Sequence, residues 1–280
     1  MPVLRLELYQ PSAHYRLPYA YQRRLTYPLP PYSTILGFLQ NLVSNHKAVK
    51  DYLVPKPEVS DIGVLPLTHI AVAGRFYSKT VEYTWLRSLK AEKGSERRDK
   101  IFSFPEHPGQ QIPVKVDTLE RVELVIYLGA AEEFLSVLKE AISNPQPYEI
   151  PHLGRAEDFV ILDSVEVVEL RQTKVKPKHY PYSFWVPYEE AQQLKLEGLL
   201  FKIALKAENR VMQKASRGKG SKSSKPADPM LFSELSPQGP IWRVMQNVPV
   251  LLWEGELPYA IEAYFDSEKE IPVFLQPIDA

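Results

Sequence analysis

The chain has 280 residues, with 34 Lys and Arg against 34 Asp and Glu, 44% hydrophobic residues and no cysteine. This composition can bury a core, so it excludes a wholly disordered protein. The lack of cysteine excludes disulfides, thiolate metal sites and a cysteine nucleophile. The sequence shows neither a signal peptide nor an apolar run of about 18 residues, so it predicts a soluble, cytoplasmic protein with no membrane contact.

The N-terminal half alternates predicted strands and helices. Leucines alternate with polar residues over 3–9, which is the period of a strand with one buried face. After a Pro- and Tyr-rich connection, apolar residues recur at helical spacing over 35–43, with Ser33 or Thr34 as a suitable N-cap. Further strands are predicted over 70–77, 122–128 and 159–170, and a second helix over 131–142 that ends before Pro145.

This order of elements predicts an α+β fold. A β-α-β-β-α-β succession over 1–170 is typical of the ferredoxin-like fold, which the RNA-recognition motif shares. Strands two and three should form a hairpin, yet roughly forty residues separate them where two to five are usual. The sequence therefore predicts a protruding insert at about 79–118.

The insert combines cations with aromatic residues. Arg87, Arg97, Arg98 and Lys100 are interleaved with aromatic side chains, among them Trp85. Bases stack on aromatic rings while Lys and Arg bind phosphates, so the composition favours a single-stranded nucleic acid. The alternative is a solvated loop with ordinary surface charge.

The neutral total charge hides a strong asymmetry in the C-terminal half. A basic linker is predicted over 171–198, followed by a small β lobe over 199–280. Within that lobe a basic loop over 206–228 contains a low-complexity segment at 216–225 that could become ordered on phosphate. The last 36 residues are acidic, with seven acids against one lysine.

Catalytic chemistry has little support in the sequence. The six histidines are scattered without metal-ligand spacing, and no dinucleotide or phosphate-loop fingerprint is present, so no metal and no cofactor are predicted. Cleavage of RNA without a metal needs an acid and a base. His14, Tyr15 and Tyr32 are the candidates for this alternative, an endoribonuclease, although such residues more often pack or stack.

Two motifs resemble a known family. Residues 27–39, YPLPPYSTILGFL, resemble the first-helix motif of the CRISPR-associated Cas-five family, within the RAMP superfamily. Residues 153–158, LGRAED, resemble the segment that this family carries before its fourth strand. The motifs and the element order cover about the first 170 residues, and the nearest branch is type I-B.

The resemblance implies an RNA-binding subunit of a type I Cascade complex that caps the 5′ handle of crRNA. The fold would be a ferredoxin-like palm, and the insert would be a thumb that hooks over the crRNA. The partners implied are the crRNA, the backbone subunit, the large subunit and, through the assembled complex, target DNA. One branch of the family also cleaves precursor crRNA, but no His, Tyr and Lys set matching that branch is recognisable here, so the resemblance implies no catalytic residue.

The motifs also suggest where RNA would bind. The Pro30-Pro31 pair fixes the entry to a helix whose free N–H groups can bind an anion, although a plain N-cap is the alternative. Arg155 follows a glycine, and Glu157 or Asp158 could orient it, with a surface salt bridge as the alternative. The predicted RNA-binding residues are Arg16, Tyr21, Arg23, Arg24, Tyr32, Ser33, Thr34, Arg87, Arg97, Arg98, Lys100 and Arg155.

Overall fold

The structure is a computed structural model that describes residues 1–18, 23–43, 45–54, 64–87, 111–211, 235–236 and 239–278. Its fold is mixed, with many strands and few helices. The elements up to the second long helix are β1 (Pro2–Ala13), β2 (Tyr15–Arg16), β3 (Arg23–Arg24), β4 (Thr26–Tyr27), α1 (Tyr32–Val43), α2 (Lys47–Lys50), β5 (Leu67–Arg87), β6 (Gln111–Ala130) and α3 (Glu132–Ser143).

The second half adds mainly strands. They are β7 (Ile161–Glu169), β8 (Arg171–Val175), β9 (Lys178–His179), β10 (Ser183–Pro187), β11 (Leu199–Val211), β12 (Leu235–Ser236), β13 (Gly239–Trp253), β14 (Glu256–Leu257), β15 (Ile261–Asp266), β16 (Ile271–Val273) and β17 (Gln276–Pro277). One short helix, α4 (Tyr188–Gln193), follows β10.

A single large sheet organises the molecule. Its main strand order is β11-β13-β10-β5-β6-β1-β7, and each neighbouring pair in this order is antiparallel. The predicted strands of the N-terminal half occupy β5-β6-β1-β7, with α1 following β1 and α3 following β6. Leu6 lies opposite Ile126 on one side and Val165 on the other, so apolar rows run across the strands.

Both faces of this sheet are covered. Leu4, Leu6 and Leu8 pack with α1 and α3 in one buried cluster. A second buried cluster on Val3, Ala71 and other residues includes strands from the C-terminal region. The residues that alternate with the leucines of β1 therefore face this second layer and not open solvent.

The predicted insert begins as a continuation of the sheet. Strands β5 and β6 keep one register from His69 opposite Gly129 to Arg87 opposite Gln111, and only Tyr77 and Arg121 are skipped. We call residues 78–87 and 111–120 the arm. The strands are therefore longer than predicted and much of the 79–118 insert is β-structure; residues 88–110 lie outside the described part of the chain.

Two predictions for the C-terminal region need correction. The 171–198 segment is not a linker, because it contains β8, β9, β10 and α4. The strands predicted after 199 do not form a separate lobe: β11 and β13 join the main sheet through the pairing of β10 with β5. The basic low-complexity segment at 216–225 lies outside the described residues.

A buried charged network holds the C-terminal region against β1. Arg5, 3% exposed, donates to Asp266 Oδ2 at 2.9 Å, to Glu166 at 2.7 Å and to Glu268 at 2.8 Å. Tyr127 also donates to Asp266 Oδ2, at 2.8 Å. Burial raises the pKa of Asp266, but the bonds from Arg5 and Tyr127 outweigh that effect and lower it. The network therefore holds a charged pair inside the fold.

Within the described residues, no helix is long and apolar enough to span a membrane.

Candidate nucleic-acid interface

The loop over 153–158 is built around the buried carboxylate of Asp158. Its Oδ2 accepts hydrogen bonds from the backbone N–H groups of His14 at 3.0 Å and Arg155 at 2.8 Å. Gly154 has φ +121°, and an added Cβ would lie 2.8 Å from Asp158 Oδ2 and 2.9 Å from the His14 carbonyl oxygen. The glycine thus allows a close approach between the loop and the end of β1.

Arg155 leaves this loop toward the arm. Its Nη2 donates to Asp158 Oδ1 at 2.8 Å and its Nη1 to Glu82 of β5 at 3.0 Å, while Glu157 lies 3.3 Å from Nε. Burial lowers the pKa of Arg155, but the bonds to Asp158 and Glu82 outweigh it and raise the pKa. The prediction that Asp158 or Glu157 orients Arg155 is confirmed, and the side chain is 17% exposed rather than on the open surface.

Arg24 lies near Arg155, and Arg16 lies near Arg24. Burial lowers the pKa of Arg24, and the nearby positive charges of Arg16 and Arg155 lower it further, against an opposing effect of Glu157. Neither Arg16 nor Arg24 forms an ion pair within the described residues. We call Arg16, Arg24 and Arg155 the arginine cluster; the charges of Arg16 and Arg24, which have no ion pair there, favour an anionic ligand.

His14 lies beneath the arginine cluster and is 3% exposed. Its Nδ1 lies 2.7 Å from the carbonyl oxygen of Asp117, and its buried Nε2 has no hydrogen-bond partner. Burial lowers the pKa of His14, and Arg155 and Arg24 add to this, which outweighs the carbonyl of Asp117. His14 is therefore a neutral packing residue at physiological pH.

Arg23 has a different role from its neighbour. It donates to Asp117 Oδ1 at 2.8 Å, and Lys79 of the arm lies 2.7 Å from Oδ2 of the same carboxylate. Asp117 is fully buried, which raises its pKa, but Lys79 and Arg23 outweigh burial and lower it. Arg23 and Lys79 therefore link β3 to the arm through the carboxylate of Asp117. No motif in the sequence indicated this carboxylate.

Aromatic side chains are exposed on one face of the arm. Val81, Tyr83 and Trp85 are 44%, 68% and 58% exposed, and their spacing of two residues puts them on one face of β5. Lys115, paired with Tyr83 across the ladder, places its Nζ 5.5 Å from the ring centroid. Just outside the arm, Arg121 lies 5.2 Å from the ring of Tyr77. Exposed rings with adjacent cations suit stacked bases.

The start of α1 does not match its predicted role. Tyr32 is fully buried in the core, so it cannot contact RNA, which corrects that prediction. Ser33 and Thr34 lie in the first turn rather than at the N-cap, and Thr34 N–H donates to the Pro31 carbonyl at 3.0 Å. Glu190, whose pKa burial raises to about 7, raises the pKa of Tyr32 further, so the two side chains lie near each other.

The remaining predicted positions are not all described. Arg87 is the last residue of β5, whereas Tyr21, Arg97, Arg98 and Lys100 lie outside the described residues. The structure therefore brings together Arg16, Arg24 and Arg155, and separates them from Tyr32. Lys115 and Arg121, the cations next to Tyr83 and Tyr77, were not predicted, because a single cation within a strand forms no recognisable motif.

The residues considered for cleavage do not form an exposed site. Tyr15 is buried and donates to Gln10 Oε1 at 2.6 Å, and Tyr32 and His14 are buried as well. In the described part of the chain no group of three or more His, Asp or Glu side chains could hold a metal ion.

Together, the fold and the site define a strand-rich protein with a basic and aromatic surface suited to single-stranded nucleic acid. Residues 3–59 match the model of a family described as CRISPR-associated protein (Cas_Cas5). This match confirms the resemblance drawn from residues 27–39, which lie inside it.

Two solved structures are similar to the chain. One belongs to a "CRISPR RNA-guided surveillance complex"; it is 11% identical, with 93% of this chain and 91% of that chain covered and a TM-score of 0.44. The other, a "CRISPR protein from Archaeoglobus fulgidus", is 14% identical, with both chains fully covered and a TM-score of 0.38. Comparison with curated proteins finds no match.

Proposed function

We propose that this chain is an RNA-binding subunit of a CRISPR type I interference complex and that it binds the 5′ handle of crRNA. The observation that carries the proposal is the family match over 3–59, because Arg16 and Arg24 of the arginine cluster lie inside it. Arg155 contacts the arm at Glu82, and Tyr83 and Trp85, exposed on the other face of β5, offer stacking surfaces. In the assembled complex the backbone and large subunits would be its protein partners, and target DNA would be recognised by the complex as a whole.

The proposed architecture is a ferredoxin-like palm with a thumb. The antiparallel order β7-β1-β6-β5, with α1 and α3 placed after β1 and β6, supports the palm. The arm supports the thumb, because it prolongs the two strands between which the family carries this element.

We further propose that the chain binds RNA without cleaving it. The burial of His14, Tyr15 and Tyr32 supports this, because a general acid or base must reach the ribose or the leaving oxygen. Incubation of the purified protein with RNA from its own CRISPR repeat, with and without chelator, tests it. A cut at one defined position would contradict this part of the proposal.

The arginine cluster provides the first test of RNA binding. Replacing Arg16 and Arg24 together by alanine should weaken binding of the repeat RNA and reduce the slope of log K against log salt by about 1.4, at about 0.7 for each lost phosphate contact on a single strand. Filter binding at four salt concentrations measures the slope. Thermal melting should change little, because neither side chain forms an ion pair with any residue that the structure describes.

A matched control keeps this result specific. Lys50→Ala plus Lys139→Ala removes the same charge from exposed positions on α2 and α3, away from the arm. The control should retain the wild-type slope. Equal loss in both double variants would mean that RNA responds to overall charge and would remove the arginine cluster from the site.

The aromatic residues of the arm provide the second test. Tyr83→Ala plus Trp85→Ala should weaken RNA binding by about 1–3 kcal/mol for each base that stacks, with an unchanged salt slope. The exposed Tyr148→Ala, outside the arm, serves as the control and should bind normally. Unchanged affinity of the arm variant would exclude stacking on the described part of the arm.

A further inference from the structure

The strand β7 forms one end of the main sheet. In the described part of the chain it pairs with β1 on one side, and no strand pairs with its other side. It is nine residues long and contains neither proline nor lysine. Unpaired N–H and C=O groups accept another strand, and proteins commonly protect such an edge with those residues, with other charges, with a bulge or with a short strand. Strand β7 is not short, but it carries three acids and one irregularity in its pairing with β1.

Apolar side chains are exposed next to this edge. Phe159 and Ile161 are 54% and 46% exposed and, two residues apart, share a face of the extended chain. Val167, further along β7, is 40% exposed. A bridge between His152 and Phe159 brings the preceding segment alongside, and there Ile150 is 79% exposed.

That preceding segment is held in place rather than loosely attached. The side chain of Asn41, on α1, accepts hydrogen bonds from the N–H groups of Tyr148 and Glu149, both at 3.1 Å. Its Nδ2 donates to the Glu149 carbonyl at 3.2 Å. The exposed Tyr148 and Ile150 are therefore presented on a fixed backbone, which reduces the entropy lost on binding.

The charge around the edge decides what can bind. Helix α3 packs against β7, and the two elements together carry six acids against one lysine, although Glu166 pairs with Arg5 and Glu169 with the N-terminal ammonium. All seven side chains are exposed: Glu132, Glu133, Glu140, Asp163, Glu166, Glu169 and Lys139. This acidic surface repels the phosphates of a nucleic acid and opposes pairing of β7 with β7 of a second copy.

We propose that the outer edge of β7 is a docking site for an extended, basic and apolar segment of a partner protein, which adds a strand to the sheet. The free backbone edge would supply the main-chain hydrogen bonds, Phe159 and Ile161 the apolar contacts, and Asp163 with α3 the preference for Lys or Arg. The site begins at Phe159, next to Asp158 of the loop that holds Arg155, but it includes no residue of the arginine cluster and does not depend on RNA binding.

A peptide probe tests the proposal. A fluorescein-labelled nine-residue peptide of alternating Val and Lys should bind the full-length protein in fluorescence anisotropy, whereas the same peptide with Glu in place of Lys should not. Amide hydrogen exchange of residues 161–169 should slow when the Lys peptide is bound. No binding at up to about 1 mM peptide, equal binding of both peptides, or protection at other strands would overturn the proposal.

Variants of exposed residues test whether the peptide binds at the outer edge of β7. Asp163→Lys should weaken the Lys peptide by at least about tenfold, since it reverses a charge beside the strand. Phe159→Ser should weaken it without a change of charge. Glu189→Lys makes the same charge reversal on α4 and should bind like the wild type; equal weakening by Glu189→Lys would overturn the assignment.

RNA binding gives a separate readout. Asp163→Lys should retain the repeat RNA with wild-type affinity, so failure of the peptide test and failure of the RNA proposal are distinguishable. Photocrosslinking of the repeat RNA to residues 161–169 would overturn the protein-docking proposal, because it would show that the edge contacts nucleic acid.

Discussion

Arg5 and Arg155 are each held by several carboxylates, yet their surroundings differ. Arg5 is 3% exposed, and its partners include Asp266, which is itself buried. Arg155 is 17% exposed and stands beside two arginines that have no ion pair within the described residues. An arginine in a closed ionic network stabilises the fold, whereas one at the border of uncompensated positive charge can also position a binding surface.

The largest expected loss of stability comes from removing Arg5 from its network of carboxylates. Arg5→Ala should destabilise the protein by about 3–5 kcal/mol, because it leaves the buried Asp266 without its cation. Urea unfolding measures the loss. RNA affinity per folded molecule should stay unchanged. Arg75→Ala, which removes an exposed pair with Glu123, is the control and should cost less than about 1 kcal/mol.

The second prediction tests whether the carboxylates around Arg155 both stabilise the fold and position the RNA-binding surface. Asp158→Ala should cost about 2–4 kcal/mol, since it leaves the N–H groups of His14 and Arg155 without their acceptor. RNA affinity should fall as well, because Arg155 loses its orientation. Glu157→Gln, at an exposed neighbour, should change stability by less than about 1 kcal/mol. Full RNA affinity in the Asp158 variant would assign the loop to folding alone.

The smallest effect concerns Glu190, a carboxylate whose pKa is shifted by burial. Burial raises the pKa of Glu190 from 4.5 to about 7, so between these values the folded state holds a proton that the unfolded state has lost. Stability should therefore fall as pH rises from about 4.5 to 7. Glu190→Gln should remove this fall and gain about 1–3 kcal/mol at pH 8. Urea unfolding at pH 5 and 8 measures it, and Glu189→Gln should keep the wild-type profile.

Strong periodicity made the N-terminal elements predictable. The leucines of β1 and the apolar spacing of α1 and α3 each point to one buried face, and these elements are present. The arm was not recognised as strand, because polar and apolar residues such as Thr80, Val81 and Glu82 show no single buried face there. Strand β10, SFWVP, was read as part of a linker because of its prolines and its basic neighbours.

The candidate site was predictable where charged partners are close in sequence. It was not predictable where burial determines the role of a residue. The LGRAED segment indicated the pairing of Arg155 with a nearby acid. Tyr32 was misassigned, although its spacing of three and seven residues from Ile35 and Leu39 places it on the buried face of α1. Arg5 gave no signal, because its partners come from a region that folds back from far along the chain.

That distance also shapes how the protein is made. Arg5 and Asp266 are 261 positions apart, and the first strand of the sheet carries the arginine. At about 5–20 residues per second, a ribosome completes β1 on the order of tens of seconds before it produces the acid that neutralises this side chain. During synthesis the N-terminal sheet therefore cannot close its second layer until the segment around Asp266 has left the ribosome.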